Sequence, residues 1–115
     1  EPEKPALVSA TKSAVLVAPG CLLWEIGNAF SAILKRKRME LELASKSLSI
    51  FEMIPIQEMA VSLSEVLALC SRHNIYAYDG YYLQLAKKSS IPLLTLDQRM
   101  ADVAQQESIQ VKGIE

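Results

Sequence analysis

The sequence predicts an α/β fold with a mainly parallel sheet, and three observations lead there. Short apolar runs end in turn or capping residues, at 14–18 before Pro19-Gly20 and at 91–96 before Asp97. Longer segments between them carry apolar residues at three- and four-residue spacing, the mark of helices with one buried stripe. The two patterns alternate along the chain, as they do where parallel strands are joined by right-handed helical crossovers.

Taken in order, Pro5 suits the first turn of a helix over residues 4–12. The run Ala14-Val15-Leu16-Val17-Ala18 is apolar on both faces, which suits a strand covered by helices on each side. Leu22, Leu23, Ile26, Ala29, Phe30, Ile33 and Leu34 define a long helix over 21–37, and Leu41, Leu43, Ala44, Leu48 and Phe51 a second over 40–51. Residues 53–56 form a short extended piece in which Pro55 marks a strand start or edge. Ser62 and Glu65 have the spacing of a capping box, opening a helix that runs to His73 with Asn74 as C-cap. A helix headed by Asp79 runs to Lys88, residues 91–96 form a second buried strand, a helix covers 98–107 and residues 109–111 form a last strand.

With 115 residues, half of them apolar, the chain can bury the core of one domain, expected to span 1–115. Two cysteines in apolar helical patterns do not suggest a disulfide framework, and a reducing cytoplasm is the simpler reading. No apolar run reaches membrane-span length and no leader-peptide pattern opens the sequence. A single histidine, His73, argues against a zinc site or a histidine-based nucleophile relay, and its place at a helix end suits a dipole partner. Cys21 and Cys70 read as buried fillers.

The carboxylates carry the chemistry. In parallel α/β sheets, ligands bind beyond the carboxyl ends of the strands, where the chain enters the next helix. Asp97 lies in such a place, Glu25 sits in the first turns of the helix after 14–18, and Asp79 opens a helix after a short linker, so all three can gather at one edge of the sheet. Three carboxylates gathered there repel one another unless a cation lies between them. Hard oxygen donors select Mg²⁺ or Mn²⁺, which activates water and clamps phosphoryl oxygens. Each acid also has a plainer reading. Asp79 and Asp97 suit helix N-caps, and Glu25 suits a first-turn acid favoured by the helix dipole.

Two further features bear on function. Lys35-Arg36-Lys37-Arg38 is the densest basic run, fit either for a solvated helix end or for contacts with RNA phosphates. Tyr76, Tyr78, Tyr81 and Tyr82 surround Asp79, and Tyr81 or Tyr82 suits either packing or stacking on a base. Trp24 reads as a packing or interface residue. Core burial accounts for most of the apolar faces of helices 21–37 and 40–51, which also form a candidate groove for a partner helix.

The motifs, taken together, resemble PIN domains. Tyr78-Asp79-Gly80-Tyr81-Tyr82-Leu83-Gln84-Leu85-Ala86, then Pro92-Leu93-Leu94-Thr95-Leu96-Asp97-Gln98-Arg99-Met100-Ala101, resembles the C-terminal half of that family. Val17-Ala18-Pro19 and Leu23-Trp24-Glu25-Ile26-Gly27-Asn28-Ala29 look like its strand-Pro and Glu-x-x-Asn-Ala segment. The resemblance implies a metal-dependent endoribonuclease, a VapC-like toxin of a toxin–antitoxin pair, that hydrolyses RNA phosphodiester bonds. It carries over Glu25, Asp79 and Asp97 as ligands of Mg²⁺ or Mn²⁺ and Thr95 as the assisting hydroxyl beside the last acid. It also implies a cognate antitoxin and a homodimer. The chain departs from the family at its front, where PIN domains have a strand bearing an Asp and residues 1–5 look like the loop after that strand. The expected fold is therefore a PIN-like three-layer α/β/α sandwich, N-terminally shortened and lacking the first strand, with one ligand fewer and a gap in the sheet. A catalytically impaired dimerisation or antitoxin-binding module is the alternative.

Overall fold

The computed structural model describes residues 15–112. The expected helix over 4–12 lies outside them. The described elements are β1 (Leu16–Ala18), α1 (Cys21–Lys35), α2 (Leu41–Glu52), β2 (Ile56–Glu58), α3 (Leu63–His73), α4 (Ala77–Ser89), β3 (Leu93–Leu94), α5 (Gln98–Gln106) and β4 (Val111–Lys112). β1 pairs parallel with β2 in the register Leu16–Ile56, and β3 pairs parallel with β4 in the register Leu93–Val111. Among the described residues these are two separate two-stranded sheets that share no hydrogen bond. The short parallel strands and five helices have the make-up of a PIN-like α/β/α fold.

Several boundaries differ from the sequence reading for physical reasons. α1 stops at Lys35 because Arg36 caps it and Lys37 turns left-handed with φ of 57°. The extended stretch at 53–56 becomes a strand only after Pro55, whose nitrogen has no hydrogen to give a ladder. The strand expected over 91–96 keeps only Leu93 and Leu94. It is short because β4 offers it just two partners, and because Thr95 Oγ1 accepts from the Asp97 N–H (3.1 Å) and turns the chain away. The last strand is Val111–Lys112 rather than 109–111, leaving Ile109 buried beneath it. In β1 Ala18 is buried and Leu16 and Val17 are half-buried, while Val15, just before the strand, is 85% exposed.

The core lies in the C-terminal half. Leu69 of α3, Leu83 and Ala86 of α4, Leu93 of β3, Val103 and Ala104 of α5, and Ile109 pack into one cluster. α1 and α2 bury only Cys21 and Ala44, so their apolar faces are not core as the sequence suggested. Those faces instead line an open groove that includes Ile26, Phe30, Leu34, Leu41 and Leu48.

α3 starts as the sequence predicts, with Ser62 Oγ accepting from the Glu65 N–H at 3.5 Å. The other half of the expected box is absent. The Ser62 N–H donates to Oε1 of Gln84 (3.1 Å), a buried side chain of α4, so the cap also ties two helices together. Asn74 ends α3 in the left-handed conformation, as expected.

α3 and α4 pack closely because Gly80 has no side chain. A Cβ there would stand 2.9 Å from Cγ1 of Val66 and 3.2 Å from Sγ of Cys70. Val66 is fully buried and β-branched, so it cannot swing aside. Gly80→Ala is therefore expected to lose about 1 kcal/mol. The overpacking cost of about 1–3 kcal/mol exceeds the gain of up to about 1 kcal/mol in helix propensity. Urea unfolding measures it, and a variant more stable than the parent would contradict the tight crossing.

Candidate active site

Three helices bring the three acids toward one another. α1 follows β1 and carries Glu25 in its second turn, and its first turn holds no acid. The dipole alone therefore does not explain Glu25. α4 begins at Ala77, two residues earlier than expected, with Tyr76 as its N-cap and no side-chain capping bond. Asp79 thus lies inside the first turn and does not cap. Its carboxylate makes no hydrogen bond among the described residues. α5 follows β3, and Asp97 is its N-cap, with Oδ1 accepting from the N–H groups of Arg99 (2.9 Å) and Met100 (3.2 Å). The plain reading of Asp97 is therefore correct as far as it goes. Its second oxygen accepts nothing from the described residues.

Electrostatics ties the three together. Partial desolvation, then repulsion from Asp97, then repulsion from Glu25 raise the pKa of Asp79, while Arg99 pulls it down. Asp79 reaches solvent, so the two neighbouring charges are the informative part of that shift. An exposed aspartate held beside two further carboxylates, with no hydrogen bond among the described residues, is a placement that folding alone does not favour.

Glu25 is the best anchored of the three. Oε2 accepts from the Tyr82 hydroxyl at 2.6 Å and from the Cys21 thiol at 3.3 Å. Tyr82 lies on α4 one turn beyond Asp79, so this bond fixes Glu25 against the helix that carries the second acid. Burial first, then the bond to Glu25, push the Tyr82 hydroxyl pKa far above its usual value, which keeps it a donor. Burial and Glu25 likewise push the Cys21 thiol up to about 11, so it is no nucleophile. Cys21 and Cys70 are both free, as expected.

Thr95 turns out to act on Asp97. Its hydroxyl accepts from the Asp97 N–H and points its hydrogen weakly at the Met100 sulfur, 3.8 Å away. Of the tyrosines, Tyr82 packs on the core and holds Glu25, Tyr78 and Tyr81 meet edge to face at 6.1 Å, and Tyr76 is exposed. Trp24 is 67% exposed and so is not a core residue.

The donor set is all carboxylate oxygen, which fits a hard divalent cation, and the repulsion felt by Asp79 is what such a cation would relieve. As they stand, no three Asp, Glu, His or Cys side chains among the described residues are close enough to hold one ion. The acids share a neighbourhood without forming a closed cage.

Sequence reasoning missed a second charged centre at the C-terminal ends of α3, α4 and α5. Glu107, just past α5, has its side chain 8% exposed and accepts from Arg72 twice (3.0 and 3.2 Å), from His73 and from Lys87 (both 2.5 Å). These partners end α3 and α4, so one carboxylate ties three helices. His73 stands in the last turn of α3 as expected and also meets the Glu107 carboxylate. Arg72, Lys87 and His73, in that order, hold the Glu107 carboxyl down at about 2.

No helix of the described residues is long and apolar enough to cross a membrane. No curated protein matches the chain. A family model described as the PIN domain matches residues 1–106, the span that contains Glu25, Asp79, Thr95 and Asp97. On that match the chain belongs to the PIN-domain family, a nuclease fold.

Proposed function

We propose that the chain is a metal-dependent endoribonuclease of the VapC-like toxin kind, with Glu25, Asp79 and Asp97 as ligands of Mg²⁺ or Mn²⁺. The observation that carries the reading is the state of Asp79, without a hydrogen bond among the described residues and destabilised as an anion by Asp97 and Glu25. When bound there, a divalent cation supplies an activated water and neutralises charge on a phosphodiester undergoing in-line attack. The chain's own residues do the rest. Tyr82 holds Glu25 at Oε2, leaving Oε1 for the ion. Thr95 and the first N–H groups of α5 hold the Asp97 backbone and Oδ1, leaving Oδ2. Asp79 stands between, at the mouth of α4.

The second reading, a PIN-like module that binds but no longer cleaves, is favoured by the exposed apolar groove of α1 and α2 and by the open spacing of the acids. On either reading that groove is the candidate surface for a cognate antitoxin or for a homodimer partner. An RNA cleavage assay with Mg²⁺ or Mn²⁺, with and without EDTA, separates the two readings. The nuclease reading expects cleavage that EDTA abolishes and that falls at least about tenfold in Asp97→Asn, since even an outer-shell ligand partner is worth about 10–100-fold. Cleavage undiminished by the substitution rejects the ligand role of Asp97. Absence of metal-dependent cleavage favours the binding module.

A further inference from the structure

We infer that the turn after α1, carrying Lys35, Arg36, Lys37 and Arg38, is the anchor for the sugar-phosphate backbone of a single-stranded RNA that runs along α1 toward Glu25. The inference rests on the nuclease reading for the identity of the polyanion and goes beyond it in assigning the surface that holds it.

The chain has a net charge of −1, and its candidate site is a group of acids, so a polyanion needs attraction from elsewhere. Four of the twelve basic residues are consecutive in this turn. All four are exposed, and none of their side chains enters a hydrogen bond or ion pair among the described residues. Lys46, by contrast, pairs with Glu42 on α2. A helix dipole favours a cation or two in the last turn, but its reach ends there, and Lys37 and Arg38 lie beyond it.

The backbone that presents these charges is fixed. The Lys37 N–H donates to the Leu34 carbonyl (3.0 Å) and the Arg38 N–H to Ile33 (3.1 Å), the paired closure of a Schellman turn. The residue that must turn left-handed in that motif is usually glycine. Here it is Lys37, at φ of 57°. The chain holds a cation where the backbone would favour a residue with no side chain.

Geometry connects this turn to the acids. Glu25, Ala29, Ala32 and Arg36 follow at spacings of four, three and four, so they lie along one face of α1. Over those eleven residues the helix rises about 16 Å. Between the two ends that line carries only alanines, so no large side chain obstructs a strand lying along the helix.

The test is equilibrium binding of a short fluorescein-labelled oligouridylate in EDTA, which stops turnover, followed by anisotropy over a range of salt. The neutralised variant Lys35→Gln/Arg36→Gln/Lys37→Gln/Arg38→Gln is compared with the parent and with the charge-conserving Lys35→Arg/Arg36→Lys/Lys37→Arg/Arg38→Lys. Each phosphate contact contributes about 0.7 to the slope of log K against log salt, so the neutralised variant is expected to lose about 3 from it. The charge-conserving variant is expected to keep the parent slope. A neutralised variant that is folded by circular dichroism and has the parent slope overturns the inference, as does a parent whose RNA binding is insensitive to salt. If neutralisation instead abolishes binding to vesicles of anionic phospholipid and leaves the RNA slope unchanged, the patch belongs to a membrane surface and the inference fails. Because no cleavage is measured, failure of the nuclease reading in the metal assay is read separately from failure here.

Discussion

Asp79→Asn is expected to abolish metal-dependent RNA cleavage and, in the same molecule, to raise the melting temperature in EDTA. The loss of activity follows from removing a direct ligand, expected to cost at least the roughly 10–100-fold of an outer-shell partner. The gain in stability follows from the raised pKa of Asp79. A carboxyl whose folded pKa lies above its unfolded value disfavours the fold when ionised. That penalty is absent below the ordinary value of 3.8, grows as pH rises through the folded pKa and is constant above it. The amide has no charge to repel, so at neutral pH the variant escapes the penalty. Gel cleavage reads the first effect and calorimetry in EDTA the second. A lower melting temperature at neutral pH would mean that Asp79 is a structural residue, contrary to the trade of stability for function argued here.

Glu107→Gln is expected to have the largest effect on stability. It removes the charge that Arg72, His73 and Lys87 converge on, at a position where the carboxylate is nearly buried. Hydrogen bonds to charged groups are worth about 1.5–3 kcal/mol, and the lower part of that range applies because Arg72 and Lys87 are half exposed and screened. The pH dependence identifies the cause. The Glu107 pKa is depressed to about 2 from an ordinary 4.5, so its contribution is present above the ordinary value and is lost as pH falls toward 2. Urea unfolding of parent and variant should differ most above about pH 5 and converge as acid protonates Glu107. A difference that stays constant down to the acid limit would assign the loss to packing instead.

The parts of this fold that were legible in the sequence are those governed by local rules. The helical stripes of α1 and α2, the Ser62 cap of α3, the left-handed Asn74 and the capping position of Asp97 all depend on residues within a few positions of one another. Strand lengths were not legible, because a strand such as β3 is only as long as the partner that β4 provides. Nor was the start of α4, where Tyr76 takes the cap without a side-chain bond and so leaves no sequence mark. The assignment of the α1 and α2 faces to the core failed because periodicity shows which face is apolar and not what covers it.

Within the site, the acids could be named from their positions at helix starts and from their resemblance to a family pattern. What orients them could not. The Tyr82–Glu25 bond spans 57 residues and the His73–Glu107 pair spans 34. No spacing rule links residues so far apart in the chain. Gln84 is a similar case, a polar residue in an apolar helix pattern whose reason is the Ser62 N–H on a neighbouring element.

The central claim is that Glu25, Asp79 and Asp97 act together on one divalent ion, and a Mn²⁺ titration followed by electron paramagnetic resonance tests it without reference to turnover. The account predicts saturable Mn²⁺ binding by the parent chain, weakened at least about tenfold in each of Glu25→Gln, Asp79→Asn and Asp97→Asn. Mn²⁺ affinity that is unchanged in all three variants would contradict it.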